Sequence, residues 1–185
     1  MRLEGKRIFL RHWKKSDVPR MFELCQDRTI SRFTTVPFPY TKKHAIQFVN
    51  DSAKNFRKKE SMNFAIVLKE NNLVIGSVSF THFSWRDKNA GIGYWLAKEF
   101  RGKEIMLEAC AVLMDFGFNK LKLHRIQIDC AVKNKPSKRV IEKLGCKFEG
   151  LRRERGFLGG KFVDTFSFAI LDREFNRRRA KKADK

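Results

Sequence analysis

The sequence predicts an α/β fold, a mixed central β-sheet flanked by α-helices in the order β-α-α-β-β-β-α-β-α-β-β, and three observations carry that prediction. Residues 89–120 read as one strand, a short basic turn and one long, almost wholly apolar helix. Residues 64–69 and 74–83 are strand-like runs on either side of the polar turn Glu70-Asn71-Asn72, which makes them a hairpin. Alternating apolar runs at 7–13, 123–132, 146–151 and 162–171 supply further strands, and segments with helical spacing lie between.

Taken in order, residues 7–13 form the first strand, with Ile8, Leu10 and His12 alternating with Phe9, Arg11 and Trp13. Ser16 is a suitable N-cap and Asp17 suits a first turn, so 16–26 form a helix with Val18, Met21, Phe22 and Cys25 on one face. Residues 30–40 carry Pro37 and Pro39 among Phe33, Phe38 and Tyr40 and read as an aromatic loop. Thr41 caps a second helix to about residue 60, apolar at Ala45, Ile46, Phe48, Val49, Ala53 and Phe56. The hairpin follows, and the turn Trp85-Arg86-Asp87-Lys88 leads into the strand at 89–96 as a third antiparallel neighbour. Ile92, Tyr94 and Trp95 give that strand the composition of a buried one.

Arg101-Gly102-Lys103 then breaks the apolar run. On the helix beyond, Glu104, Glu108, Asp115 and Asn119 fall on one narrow polar stripe, and nearly every other position is apolar. Its N-terminus, with unpaired N–H groups and the positive end of the helix dipole beside Arg101 and Lys103, is a place for a phosphate. After the strand 123–132, Asn134 and Pro136 open a short helix with Val140, Ile141 and Leu144 inward, and Gly145 ends it. Gly159-Gly160 turns the last hairpin. The chain divides into a domain, 1–175, and a basic tail, 176–185, expected to be mobile and solvated.

Composition bounds the function. A chain of 185 residues with 42% apolar side chains makes one globular domain that needs no staples. Against 20 acids stand 41 Lys and Arg, a net charge of +21, which attracts polyanions and repels cationic small molecules. Solubility alone is the plain alternative. The longest apolar run, 109–114, cannot span a bilayer, and the basic N-terminus lacks the apolar region of a signal peptide, so a cytoplasmic protein with no membrane association is expected. Cys25, Cys110, Cys130 and Cys146 are widely spaced in apolar surroundings and read as buried reduced thiols, not as disulfides or metal ligands. His12, His44, His82 and His124 have no catalytic spacing.

The segment IGYWLAKEFRGKEIMLEA, followed by LHRIQIDCAVKNKPSKRVIEKLGCKFEG, resembles the GCN5-related N-acetyltransferases, and within them the group that acetylates N-terminal amines of ribosomal proteins. The resemblance covers roughly residues 7–171. Its most specific parts are the strand-turn-helix and the phrase Asn134-x-x-Ser137 running into Glu142-Lys143-Leu144-Gly145-Cys146. It implies acetyl-coenzyme A as co-substrate, wedged where the strand at 91–96 splays from that at 123–132. The family's pyrophosphate loop, Gln/Arg-x-x-Gly-x-Gly/Ala, aligns with Arg101, Gly102, Lys103, Glu104, Ile105 and Met106, which are therefore implied to bind the cofactor. Two positions depart from the pattern. Glu104 stands where the family has glycine, and Met106 where it has a small residue. Glycine lets backbone N–H groups approach phosphates, and a carboxylate repels them, although an acid in a first helical turn is otherwise a favourable dipole partner. Weakened but surviving binding is expected; the alternative is a scaffold that has lost its cofactor.

The resemblance implies direct transfer, in which a neutral amine attacks the thioester carbonyl and coenzyme A leaves as a thiolate. The backbone N–H groups of Trp95 and Leu96 are the implied oxyanion donors. Asn134 is implied to hold the pantetheine arm and Ser137 to lie near the departing sulfur; a plain N-cap pair is the alternative for both. A thiol of pKa about 8.5 needs little help to leave, and an α-amine of about 7.7–8.0 needs a weaker base than a lysine of about 10.4. Related enzymes place a glutamate where this chain has Gly156, so the nearest acid, Glu154, is the candidate base, with Glu149 a salt-bridged strand residue. The expected acceptor is a protein N-terminus or another primary amine, with a ribosome or acidic surface as an expected partner. Two alternatives stay open: a nucleic-acid- or ribosome-binding module on a degenerate scaffold, and a small-molecule amine acetyltransferase, for which polycationic acceptors are disfavoured.

Overall fold

The computed structural model describes residues 1–183, with side chains through Arg178. The chain runs β1 (Arg2–Glu4), β2 (Ile8–His12), α1 (Val18–Leu24), α2 (Arg28–Ser31), α3 (Lys42–Lys58), β3 (Met62–Leu68), β4 (Val74–Ser84), β5 (Asn89–Leu96), α4 (Ile105–Asp115), β6 (Arg125–Ala131), α5 (Lys135–Leu144), β7 (Lys147–Leu158), β8 (Lys161–Leu171) and α6 (Asp172–Ala183). The strands form one open sheet in the order β1-β2-β3-β4-β5-β6-β8-β7. Neighbours are antiparallel except β5 and β6, which the α4 crossover makes parallel.

Each face of the sheet has its own core. On one, Ile8, Phe64, Val78, Phe80, Ile126 and Phe168 pack with Ala109, Leu113 and Met114 of α4 and Ile141 of α5. On the other, Phe9, Trp13, Ala65, Val67 and Trp95 pack with Met21 of α1 and Ala45 and Val49 of α3. This second layer covers only part of its face, which leaves the β4–β5–β6 region open. Thr41 caps α3 as predicted, its Oγ1 accepting from the His44 N–H at 3.2 Å. All four cysteines are free and buried.

The structure departs from the sequence reading at several places. β1 is additional, because Arg2–Glu4 has a single apolar residue and no periodicity to find. The first helix is organised by Asp17 and not by Ser16: Asp17 is buried, accepts from the Lys14 N–H at 2.8 Å and takes both Arg11 guanidinium nitrogens at 2.6 and 2.8 Å. A single-turn helix, α2, begins the aromatic loop, which contains a cis Phe38–Pro39 bond. The long helix ends in a π-helical turn, Phe116–Lys120. There a Cβ on Gly117 would stand 2.6 Å from Phe80 Cζ, so only glycine admits this approach. The boundary expected between domain and tail falls inside α6. Residues 176–183 continue α6, whose Phe175 packs on Phe118 at 5.1 Å and whose Arg178 guanidinium lies against Gly145. Residues 184 and 185 and the side chains of Arg179, Lys181 and Lys182 lie outside the described residues. No helix among the described residues is long and apolar enough to cross a membrane.

Candidate active site

The site begins at a fork in the sheet. β5 pairs with β6 only at Asn89–Arg125, Ala90–Ile126 and Gly91–Gln127. Beyond Gly91, β5 stays on β4 as far as Leu96 opposite Gly76, and β6 stays on β8 as far as Ala131 opposite Thr165. Trp95 stacks on Trp13 at 6.4 Å and draws the end of β5 towards the helical layer. The fork follows, since each strand keeps its outer partner and gives up the inner one.

Register decides which amides face the gap. The Ala97 N–H bonds the Ile75 carbonyl at 2.9 Å, so hydrogen-bonded pairs fall at Ala97–Ile75, Trp95–Ser77 and Gly93–Ser79. The N–H of Trp95 is thus turned to β4, which corrects its expected role as an oxyanion donor. Those of Tyr94 and Leu96 point into the fork. The Leu96 carbonyl leaves from the same edge and is met there by Arg101 Nε at 2.9 Å.

Arg101 is accordingly committed within the protein. Besides Leu96 it donates to Thr29 Oγ1 at 2.6 Å and to Asp27 Oδ2 at 3.0 Å. The expected phosphate cation is instead a clamp that ties the turn after β5 to α2. Lys103 lies over the Phe100 ring at 5.8 Å, and its carbonyl accepts from Arg7 Nη1 at 2.9 Å. Gly102 has φ +77° and open space where a Cβ would stand. Glu104 precedes α4 at φ 58°, ψ 10°, in the left-handed region, so backbone conformation alone makes this a glycine's place. Its carboxylate is exposed and bonded by Lys143 Nζ of α5 at 2.6 Å, which holds the carboxyl below its ordinary range. On the polar stripe, Glu108 is bonded within the protein: it accepts from the N–H groups of Arg7 at 2.7 Å and Ile8 at 3.3 Å and from Arg7 Nε at 2.9 Å. The first bond inside α4 is from Glu108 N–H to the Glu104 carbonyl, so the N–H groups of Ile105, Met106 and Leu107 emerge at the helix end.

Asn134 and Ser137 separate into two roles. Asn134 caps α5, its Oδ1 accepting from the Ser137 N–H at 3.3 Å. Ser137 Oγ is not spent on the cap; it lies 2.7 Å from Tyr94 Oη across the fork. Burial pushes the Tyr94 phenol well up, against the opposing bond from Ser137. The Cys130 thiol beside them is pushed up to about 11, chiefly by burial, so it stays a neutral thiol. Tyr94 was not among the site residues read from the sequence, where it passes for one more aromatic in a buried strand.

Two clefts meet at this pair. One, of about 470 Å³, is lined by Leu96, Phe100, Gly102, Ile105, Met106 and Val140. The other, an inner cleft of about 750 Å³ on the opposite side of the fork, is floored by β4, β5 and β6. Tyr94, Trp95, Asn134 and Ser137 border both. Glu154 is elsewhere. It is exposed at φ 51° in a bulge of β7, its N–H held by Asp164 Oδ1 at 2.8 Å, and lines a third, outer cleft of about 1160 Å³. The structure therefore does not bring Glu154 together with Ser137. Glu149 is paired with Arg125, which holds its carboxyl below the ordinary range. Gly156 does line the inner cleft, as does Asp129.

Residues 7–147 match the family model described as acetyltransferase (GNAT) domain. The chain belongs to the GNAT acetyltransferases. A Bacillus subtilis (strain 168) relative named "Probable N-acetyltransferase YjcK" is 31% identical over 175 residues, spanning 92% of this chain and 97% of its own. The ribosomal-protein-serine acetyltransferase of Escherichia coli (strain K12) is 32% identical over 108 residues, 58% of this chain and 60% of its own. Among solved structures, a ribosomal L7/L12 α-N-protein acetyltransferase, RimL, in complex with coenzyme A superposes with a TM-score of 0.86 at 22% identity, covering 92% of this chain and 98% of that one, a likeness of fold.

The co-substrate of this GNAT domain is acetyl-CoA, and the residues present fit it. The fork leaves the N–H groups of Leu96 and Tyr94 without a strand partner beside an apolar cleft that the start of α4 also lines. Glu104 does not overturn the fit, since its charge is directed to Lys143.

Proposed function

We propose that this acetyltransferase modifies a primary amine, and that its acceptor is the α-amine of a protein N-terminus, ribosomal proteins among them. The observation that carries the reading is the Ser137–Tyr94 hydroxyl pair where the two clefts meet, beside two unpaired strand amides. Bound acetyl-CoA supplies an activated acetyl thioester. The N–H groups of Leu96 and Tyr94 are aimed where negative charge develops on the acyl oxygen, and being fixed in a strand they need no reorganisation. Ser137 Oγ, which shares a hydrogen bond with Tyr94 Oη, holds a proton at the point of thiol release. Since that thiol has a pKa of about 8.5, the proton is a modest aid, and a hydroxyl suffices. Asn134 fixes the start of α5 and with it Ser137. The inner cleft admits the amine from the other side of the fork. An α-amine, with a pKa of about 7.7–8.0, arrives partly as the ammonium and sheds that proton to a weaker base than a lysine amine of about 10.4 requires. The relative named for ribosomal-protein-serine acetylation supports a protein amine, and the basic surface disfavours polycationic acceptors.

The test combines calorimetric titration with acetyl-CoA and thiol release in the presence of short peptides bearing free or blocked N-termini. Acetylation of free but not blocked peptides supports the reading. Transfer confined to lysine side chains or to small amines would replace the acceptor.

A further inference from the structure

We infer that Asp129 receives the acceptor's ammonium group and that the acceptor's main chain lies over Gly93, so that the inner cleft reads a polypeptide end and not an isolated amine. This rests on the transfer to an amine proposed above. Strand alternation and register place Ser77, Ser79 and Thr81 of β4, Gly91 and Gly93 of β5, and Gln127 and Asp129 of β6 on one face. All of them line the inner cleft. Among the described residues, Asp129 is the one acid that does.

The Asp129 carboxylate has room for another donor. Gln127 Nε2 donates to both of its oxygens at 3.1 Å, and Arg152 Nη1 stands 3.5 Å away, beyond the roughly 2.7–2.9 Å of a tight charge-assisted bond. A carboxylate offers about four acceptor positions, so an ammonium from the cleft can be added without displacing Gln127.

Two further features point to a ligand. Thr165, opposite Ala131 on β8, lines the same cleft at 8% exposure, and its Oγ1 has no hydrogen-bond partner among the described residues. A buried hydroxyl left so is uncommon, and an acceptor N–H or carbonyl would complete it. Gly93 has no conformational need to be glycine, since its φ is not positive. Nor does packing require it: a Cβ there would meet only Ser79 Oγ at 3.6 Å, an ordinary contact. What the missing side chain does is expose strand backbone on the cleft floor, as where another backbone approaches closely. A small amine would use the carboxylate alone, whereas a peptide uses all three.

The experiment uses the full chain, saturating acetyl-CoA, and two probes, Ser-Ala-Ala-amide and ethylamine. Asp129→Asn should raise KM for the peptide by about tenfold, the worth of a charged hydrogen bond, while the acetyl-CoA Kd by calorimetry stays within about twofold. Gly93→Ala should raise KM for the peptide severalfold and leave ethylamine unchanged, and Thr165→Val should behave the same way. Melting curves confirm folding, and Asp129→Glu serves if the asparagine variant does not fold. An unchanged peptide KM in the Asp129 variant overturns the inference, as does an equal effect of Gly93→Ala on both probes. If the wild-type chain binds acetyl-CoA but acetylates no peptide, the inference fails and acetyl transfer stands. If it binds no acetyl-CoA, the proposed function itself fails.

Discussion

The two sides of the fork are built differently. On the cofactor side the polar groups are tied within the protein: Arg101 to Leu96, Thr29 and Asp27, Glu104 to Lys143, Glu108 to Arg7 and Ile8, and Asn134 to the start of α5. On the side of the inner cleft, proposed above to take the acceptor, β7 is an edge strand broken by register shifts, Phe157 is 61% exposed, and the Thr165 hydroxyl has no partner among the described residues. A site shaped for one fixed ligand can satisfy its polar groups internally and leave only backbone amides free. On the inner-cleft side Ser77, Ser79 and Gln127 are tied to Phe64, Gly93 and Asp129, and spare capacity remains at the Asp129 carboxylate and the Thr165 hydroxyl. The contrast is between strand amides left free on the first side and side-chain acceptor capacity left free on the second.

The largest effect that would sharpen the contrast lies where the sides meet. Ser137→Ala combined with Tyr94→Phe should lower kcat by about 10- to 100-fold, towards the low end of general acid contributions, with acetyl-CoA affinity nearly unchanged. An equal loss of affinity, seen by calorimetry, would make the pair a structural link between β5 and α5.

Arg101→Ala should come next, weakening acetyl-CoA by about tenfold through the released turn. Asp27→Ala should reproduce part of the loss, and the double variant should fall short of the sum, because both break one clamp. Strict additivity in calorimetric Kd values would instead mean that Arg101 reaches the phosphates itself.

Glu104→Gly carries a smaller change of the opposite sign. Relief of the left-handed conformation should stabilise the fold by about 1 kcal/mol, and loss of the exposed Lys143 pair should subtract little. Acetyl-CoA should bind modestly tighter. Unaltered melting temperature and affinity would show that Glu104 is a harmless occupant of its position.

The smallest effect concerns charge at the C-terminus. Because Phe175 and Arg178 pack on the domain, the informative truncation removes only the residues after Arg178. Capture of an acidic protein acceptor should slow by severalfold at low salt, and less at moderate salt, with a short neutral peptide unaffected. Equal behaviour of both acceptors would make the basic tail a matter of solubility.

The sequence by itself determined the succession of elements between β2 and β8 apart from the single-turn α2, the helix starts at Thr41 and Asn134, the Gly145 stop and the buried state of the cysteines. Each of these is written in a few adjacent residues, where alternation, helical spacing and capping chemistry act locally. Only the tertiary structure decided what Arg101, Trp95, Tyr94 and Glu154 can do. Arg101 meets Asp27 across 74 positions and Tyr94 meets Ser137 across 43, so no local window contains either pair. The direction of the Trp95 N–H depends on its register against β4, and the displacement of Glu154 on a bulge in β7. Both are set by how strands pair, and a shift of one residue reverses them.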